Sequence, residues 1–224
     1  ITEEMVREAT RVNNRANKAL KDLYSVMKHD PAPVSGYDIF KVLYGSTFRF
    51  DRAALADEVN ALREKIEREY AEGKHFEKRP RILITGCPIG GATEKVIRAV
   101  EDNGGVVIGY ENCSGEKAVG IQVEENAKDI YEALSRRYLA IGCSIMTPNK
   151  NRFDSLSEMI DEYHADGVLD MTLQACHTYA IETNKVRRFV TEEKGIPYIN
   201  VETDSSQTDI GKLNTRVAAF IEML

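Results

Sequence analysis

The sequence predicts an α/β protein, a Rossmann-like three-layer sandwich with a mainly parallel sheet, preceded by an N-terminal helical arm. Three observations carry this. Up to residue 70, apolar residues recur at helical spacing. From Arg81 onward the pattern becomes apolar run, loop and helix, repeated, with connections long enough for crossover helices. Finally, four of those runs lead into a cysteine. They are Arg81-Ile-Leu-Ile-Thr-Gly-Cys87, Val106-Val-Ile-Gly-Tyr-Glu-Asn-Cys113, Tyr138-Leu-Ala-Ile-Gly-Cys143 and Val168-Leu-Asp-Met-Thr-Leu-Gln-Ala-Cys176, and the chain has no other cysteine. Parallel strands point one way, so the four thiols are expected along the carboxyl edge of one sheet, where open α/β folds place their chemistry.

In the arm, Val6, Ala9, Val12, Ala16, Leu20, Leu23 and Met27 predict a helix over residues 3–29, stopped by Pro31 and Pro33. Ser35 is placed to cap a short helix through Tyr44, closed by Gly45. Asp51 is placed to cap a longer one with Leu55, Val59, Leu62, Ile66 and Tyr70 on one face. A polar connector from Gly73 to Pro80 then divides the helical arm, 1–78, from an α/β domain, 79–224. Strands are expected at Arg81–Thr85, Val106–Tyr110, Tyr138–Ile141, Val168–Leu173 and Tyr198–Val201. The intervening helices are expected from near Thr93 to Gly104, at Ala127–Tyr138, at Asp154–Ala165 and at Ile181–Lys194. A closing helix carries Leu213, Val217, Phe220 and Leu224.

The composition excludes several classes. At 224 residues, 42% hydrophobic and 29% charged, the chain is that of a globular protein. Its net charge of −6, with no Lys/Arg-rich patch, argues against a nucleic-acid footprint. No run is long enough for a membrane span, and no signal peptide is visible. Free thiols in a reducing, cytoplasmic compartment are therefore expected rather than structural disulfides. Because the sequence starts at Ile1, it is expected to be part of a longer protein.

Buried free cysteine commonly serves as a small hydrophobe. Four placed after strands, among turn residues, suggest ligands instead. Cys87 precedes Pro88, Gly90 and Gly91; Cys113 sits in Glu111-Asn-Cys-Ser-Gly115; Cys143 lies in Gly142-Cys-Ser-Ile-Met-Thr-Pro148; Cys176 precedes His177 and Thr178. There is no C-x-x-C pair of the kind zinc sites use. Spacings of 26, 30 and 33 residues suit a larger object spanning several loops, such as an iron–sulfur cluster, and packed thiols remain the alternative. The loop Gly86-Cys-Pro-Ile-Gly-Gly91, with Glu111 ending the next strand, offers a nucleotide-dependent oxidoreductase as a rival reading. Its glycine spacing, however, is neither G-x-G-x-x-G nor a P-loop. A non-catalytic α/β scaffold is the third. His177 is either an acid–base group or a hydrogen-bonded loop histidine. Asp204 is expected in an Asx-turn or helix cap, and Asp154 and Glu182 as solvated or capping carboxylates.

Taken together, Gly86-Cys-Pro-Ile-Gly-Gly91, Glu111-Asn-Cys-Ser-Gly115, Cys143-Ser-Ile-Met-Thr-Pro-Asn149, Asp166-Gly-Val168, Ala175-Cys-His-Thr-Tyr179 and Thr215-Arg216 resemble the 2-hydroxyacyl-CoA dehydratase / benzoyl-CoA reductase family. The resemblance extends to Val12-Asn-Asn-Arg15 in the arm and is richest for the double-cubane cluster branch. It implies two similar α/β domains holding an iron–sulfur cluster, a 4Fe–4S cubane or a double cubane. It also implies a separate ATP-hydrolysing iron–sulfur activator that delivers low-potential electrons. Dehydratase members form a ketyl radical from a 2-hydroxyacyl-CoA and expel water; double-cubane members reduce small molecules. The chain then corresponds to the second domain. It would lack the N-terminal domain that completes the ligand set, so the cluster would be incomplete or absent and the chain inactive alone. Homo- or heterodimers are expected, and acyl-CoA is a possible substrate. By this resemblance Cys176 is the first candidate ligand, Cys113 and Cys143 follow, and Cys87 comes last; His177 is the catalytic candidate.

Overall fold

The computed structural model describes residues 1–87 and 90–224. Helix α1 (Glu3–Tyr24) begins at Thr2, whose hydroxyl accepts from the Met5 N–H, and carries Glu3 and Glu4 in its first turn. Those charges suit the positive end of the helix dipole. Its inner face is Ala16, Ala19, Leu20 and Leu23, and a 3-10 turn continues it through Lys28. Ser35 caps α2 (Gly36–Ser46) and Asp51 caps α3 (Arg52–Ala71), each accepting a backbone N–H of the first turn, as expected from sequence. α1 and α3 pack together through Leu55, Ala56, Val59 and Ile66 of α3.

The sheet has four parallel strands, β1 (Arg81–Gly86), β2 (Val106–Glu111), β3 (Gly167–Leu173) and β4 (Tyr198–Thr203), in the order β2-β1-β3-β4. β1 and β2 are buried along their whole lengths, as a strand covered on both faces must be. The helices are α4 (Gly90–Asp102), α5 (Glu116–Val119), α6 (Ile130–Leu139), α7 (Lys150–Glu162), α8 (His177–Arg188) and α9 (Ile210–Ile221). The crossover through α4 steps outward to β2, and the one through α8 steps the opposite way to β4. Right-handed connections therefore put these helices on opposite faces. α9 returns to pack on α4, and α7 lies over β1 and β2. This is the three-layer arrangement predicted.

One hydrophobic core runs from Leu20 and Leu23 of α1, through Ile82, Leu83 and Ile84 of β1, to Val217 and Phe220 of α9. Two contacts tie the first three helices to the sheet. Gly36 lies so close to β2 that a Cβ there would meet the Val107 carbonyl oxygen at 2.2 Å, and the Tyr110 hydroxyl donates to its carbonyl at 2.7 Å. At the amino end of β1, the buried Arg81 guanidinium donates to the carbonyls of Met27, His29 and Tyr163.

Several boundaries differ from expectation. Tyr138–Ile141 is not a strand: α6 runs through Leu139, with Tyr138 64% and Leu139 65% exposed. A run of four residues has too little periodicity to separate a helix end from a strand, and here the amphipathic helix wins. α4, α7 and α8 begin earlier than expected, at Gly90, Lys150 and His177, because polar residues fill their first turns without breaking the helix. Among the described residues, no helix is long and apolar enough to cross a membrane.

Candidate functional site: thiols over a buried charge network

The chain moves from β1 out to β2, then back past β1 to β3. The direction of winding thus reverses between β1 and β3, and the crevice beyond their carboxyl ends is the usual ligand position in such sheets. Cys87 follows β1 and Cys176 follows β3. Gly86 has φ +101°, and a Cβ there would lie 2.1 Å from the Met171 carbonyl oxygen, so only glycine fits. That close approach lets the Cys87 N–H donate to the same carbonyl at 2.7 Å. On the facing loop Ala175 takes φ +64° and the Cys176 N–H donates to Leu173 O at 3.0 Å, setting Cys176 at the start of α8. The two sulfurs end 3.4 Å apart. Cys87 is 3% exposed, and burial pushes its thiol up to about 12. Cys176 is half-buried. Partial burial opposes its ionisation, but the Tyr179 N–H and the Cys87 and Thr178 side chains outweigh that and hold it below the usual thiol value.

Cys113 and Cys143 form a second group. Cys113 is an exposed residue in the turn after β2, where the Asn112 side chain accepts the Ser114 N–H at 3.0 Å. Cys143 comes from the α6–α7 loop rather than from a strand end, which corrects the expectation for that residue. The two thiols interact electrostatically with each other and with Tyr179. The atoms crowding its sulfur raise the Cys113 thiol, and Lys117 opposes the shift.

Beneath the thiols lies a charge network. Arg152, on α7, is fully buried. It pairs with Glu182 of α8 and Glu111 of β2, donates to the Thr85 hydroxyl of β1 at 3.0 Å, and lies 3.9 Å from Asp170 of β3. Burial alone would lower its pKa; Glu111, Asp170 and Glu182 together raise it above the usual value. Glu111 also faces buried Lys117 at 3.1 Å, and Lys117 donates to the Tyr179 hydroxyl at 3.2 Å. Asp170 accepts from Tyr198 at 2.7 Å, while its other oxygen has no hydrogen-bond partner among the described residues; burial raises its carboxyl. Two cations thus serve three carboxylates.

This corrects one expectation and redirects another. Glu182 is not solvated: it is 8% exposed and also accepts from Asn149 at 2.9 Å. Glu111 is fully buried and turned into the network, away from any ribose. Asp154 is exposed and Asp204 forms the Asx-turn, accepting the Ser206 N–H at 2.7 Å, which lowers its carboxyl. His177 opens α8 on the exposed side of Cys176. In the glycine loop, Pro88 and Ile89 lie outside the described residues. Among the described residues, no group of three or more His, Cys, Asp or Glu is arranged to hold a metal ion. The four free thiols stand on separate loops, Cys87 and Cys176 with their sulfurs 3.4 Å apart and Cys113 near Cys143.

A family model described as 2-hydroxyglutaryl-CoA dehydratase, D-component, matches residues 1–224. The chain belongs to that family. Among curated relatives, a candidate dehydratase subunit of Escherichia coli (strain K12), YjiM, is 53% identical over 224 residues, all of this chain and 58% of that protein. The (R)-phenyllactyl-CoA dehydratase beta subunit of Clostridium sporogenes is 24% identical over 225 residues, again all of this chain and 58% of the relative. A benzoyl-CoA reductase subunit of Thauera aromatica is 26% identical over 203 residues, 84% of this chain and 46% of the relative. The chain therefore spans about half the length of the curated relatives it matches. The D-component family includes lyases and reductases, so membership establishes an enzyme family.

Within this D-component chain, the residues that sequence reasoning missed are Arg152, Asp170, Lys117 and Tyr179. One signal was available. Asp170 interrupts the apolar run Val168-Leu-Asp-Met, and a charge inside a buried strand demands a partner. Nothing local named Arg152, which lies 18 residues earlier on a polar helix.

Proposed function

We propose that the chain is the thiolate-bearing domain of an iron–sulfur enzyme of the 2-hydroxyacyl-CoA dehydratase / benzoyl-CoA reductase type. In this reading a further domain completes the ligand set, and a separate ATP-hydrolysing activator supplies electrons. The observation that carries it is a pair of free thiols beyond β1 and β3, Cys87 and Cys176, with sulfurs 3.4 Å apart, and a second pair of free thiols, Cys113 and Cys143, on neighbouring loops. Cys176 is the leading ligand: it is accessible, fixed by its loop, and its thiol ionises more readily than usual. Cys113 and Cys143 are the next ligands, and Cys87 stands behind Cys176. Bound there, an iron–sulfur cluster supplies low-potential one-electron transfer. The chain's own contribution is to hold thiolates at fixed points; Thr178, 3.7 Å from the Cys176 sulfur, together with Ser114, Ser144 and nearby N–H groups, would tune their electron density through hydrogen bonds. In this reading His177, exposed at the start of α8, would move a proton at an acyl-CoA or other small-molecule substrate.

The test is iron and acid-labile sulfide content, with electron paramagnetic resonance, on the intact protein purified without oxygen. Iron is expected in the wild type and is expected to fall in Cys176→Ala. An iron-free wild type, or a Cys176→Ala variant with undiminished iron, overturns the reading.

A further inference from the structure

We propose that Cys87 and Cys176 form a reversible thiol–disulfide pair, in which buried Cys87 is the resolving thiol for solvent-facing Cys176. Their sulfurs are 3.4 Å apart, and among the described residues no other pair of sulfurs touches. Side-chain rotation closes the remaining gap to the roughly 2.05 Å of a disulfide. The backbone holds both residues in place. Cys87 is tied to β3 through the Met171 carbonyl, and Gly86 permits that approach. Cys176 is tied to the end of the same strand through Leu173 O. The pair therefore shares one strand as its base, and loop motion does not separate it. Access is asymmetric: Cys87 is 3% exposed whereas Cys176 is half-buried, so an oxidant from solvent meets Cys176 first.

The chemistry balances with a peroxide as oxidant. The Cys176 sulfur attacks one peroxide oxygen, the O–O bond breaks, and the departing hydroxide takes a proton and leaves as water. Cys176 is then a sulfenic acid. The Cys87 sulfur attacks that sulfur, the S–O bond breaks, and a second water carries away the Cys87 proton. Two thiols have lost two electrons, and one peroxide has become two waters. A dithiol reductant returns two electrons and two protons by exchange. The disulfide spares Cys176 from irreversible over-oxidation. If the cluster reading above holds, it also withdraws the leading ligand while oxidant is present.

The experiment takes the intact protein, metal-free and reduced, with one equivalent of hydrogen peroxide, followed by non-reducing digestion and mass spectrometry. A Cys87–Cys176 cross-linked peptide is expected, two hydrogen masses light and lost on treatment with dithiothreitol. Cys87→Ser is expected to accumulate dimedone-trapped sulfenic acid at Cys176, several-fold above wild type. Cys113→Ser is expected to cross-link normally. A wild type that accumulates as much dimedone adduct as Cys87→Ser, or that links Cys113 to Cys143 instead, overturns the pair. Iron content measured in parallel separates the two readings. Loss of iron in Cys176→Ala without a cross-link in wild type refutes the redox pair alone. A cross-link in the metal-free protein, from a wild type that already carries no iron when purified without oxygen, refutes the cluster alone.

Discussion

Replacing Arg152 with Met tests the network under the thiols. The side chain is fully buried and faces Glu111, Asp170 and Glu182, with Lys117 the other buried cation. Methionine fills much of the same volume but leaves three buried carboxylates with one cation. Removing one member of a buried ion pair costs about 3–5 kcal/mol. For a chain of this size that lowers the melting temperature by about 6–20 °C. The loss also has a pH signature. Asp170 already has its carboxyl raised by burial against the opposing charge of Arg152, so loss of Arg152 moves it further up. A carboxyl raised in the folded state binds more protons folded than unfolded, so its penalty grows as pH rises from its unfolded value toward its folded one. The gap between variant and wild type is therefore expected to narrow as the pH is lowered from 8 toward 5. Denaturant unfolding at several pH values measures it. A variant within about 1 kcal/mol of wild type, or a gap that widens on acidification, refutes the reasoning.

Two further outcomes follow from the same geometry. Gly86→Ala is expected to lose at least about 1–3 kcal/mol from its positive φ, and more from the clash with Met171 O, read as a shift in urea midpoint. Ser35→Ala removes the cap of α2 and is expected to cost about 1 kcal/mol, with far-UV circular dichroism otherwise native.

The parts of the fold legible in the sequence are those that local chemistry decides. Ser35 and Asp51 cap where they stand because their oxygens reach N–H groups three residues on. The strands at Arg81, Val106, Val168 and Tyr198 are legible because each is a short apolar run between turn residues. Tyr138–Ile141 misleads because an apolar helix end after Arg136-Arg137 reads like a strand in so short a window. Three cysteines lie just beyond strand ends, and their placement follows from the parallel sheet. Cys143 comes close to Cys113 by a loop, which only tertiary structure decides. Glu182 looks like any helix-surface carboxylate until Arg152, 30 residues away, is brought beneath it.

The wiring of Arg152 has a consequence for how the molecule breathes. From α7 it reaches α8, β1, β2 and β3, so one side chain ties five elements together. Lifting α7 would leave three carboxylates with Lys117 alone; lifting β2 would part Glu111 from both cations, and lifting α8 would part Glu182 from Arg152. No one of these elements opens cheaply by itself, so this end of the sheet opens as one unit or not at all. The loops that carry Cys87, Cys113 and Cys176 leave β1, β2 and β3 within three residues of the strand ends, so their thiols inherit the stiffness of that unit.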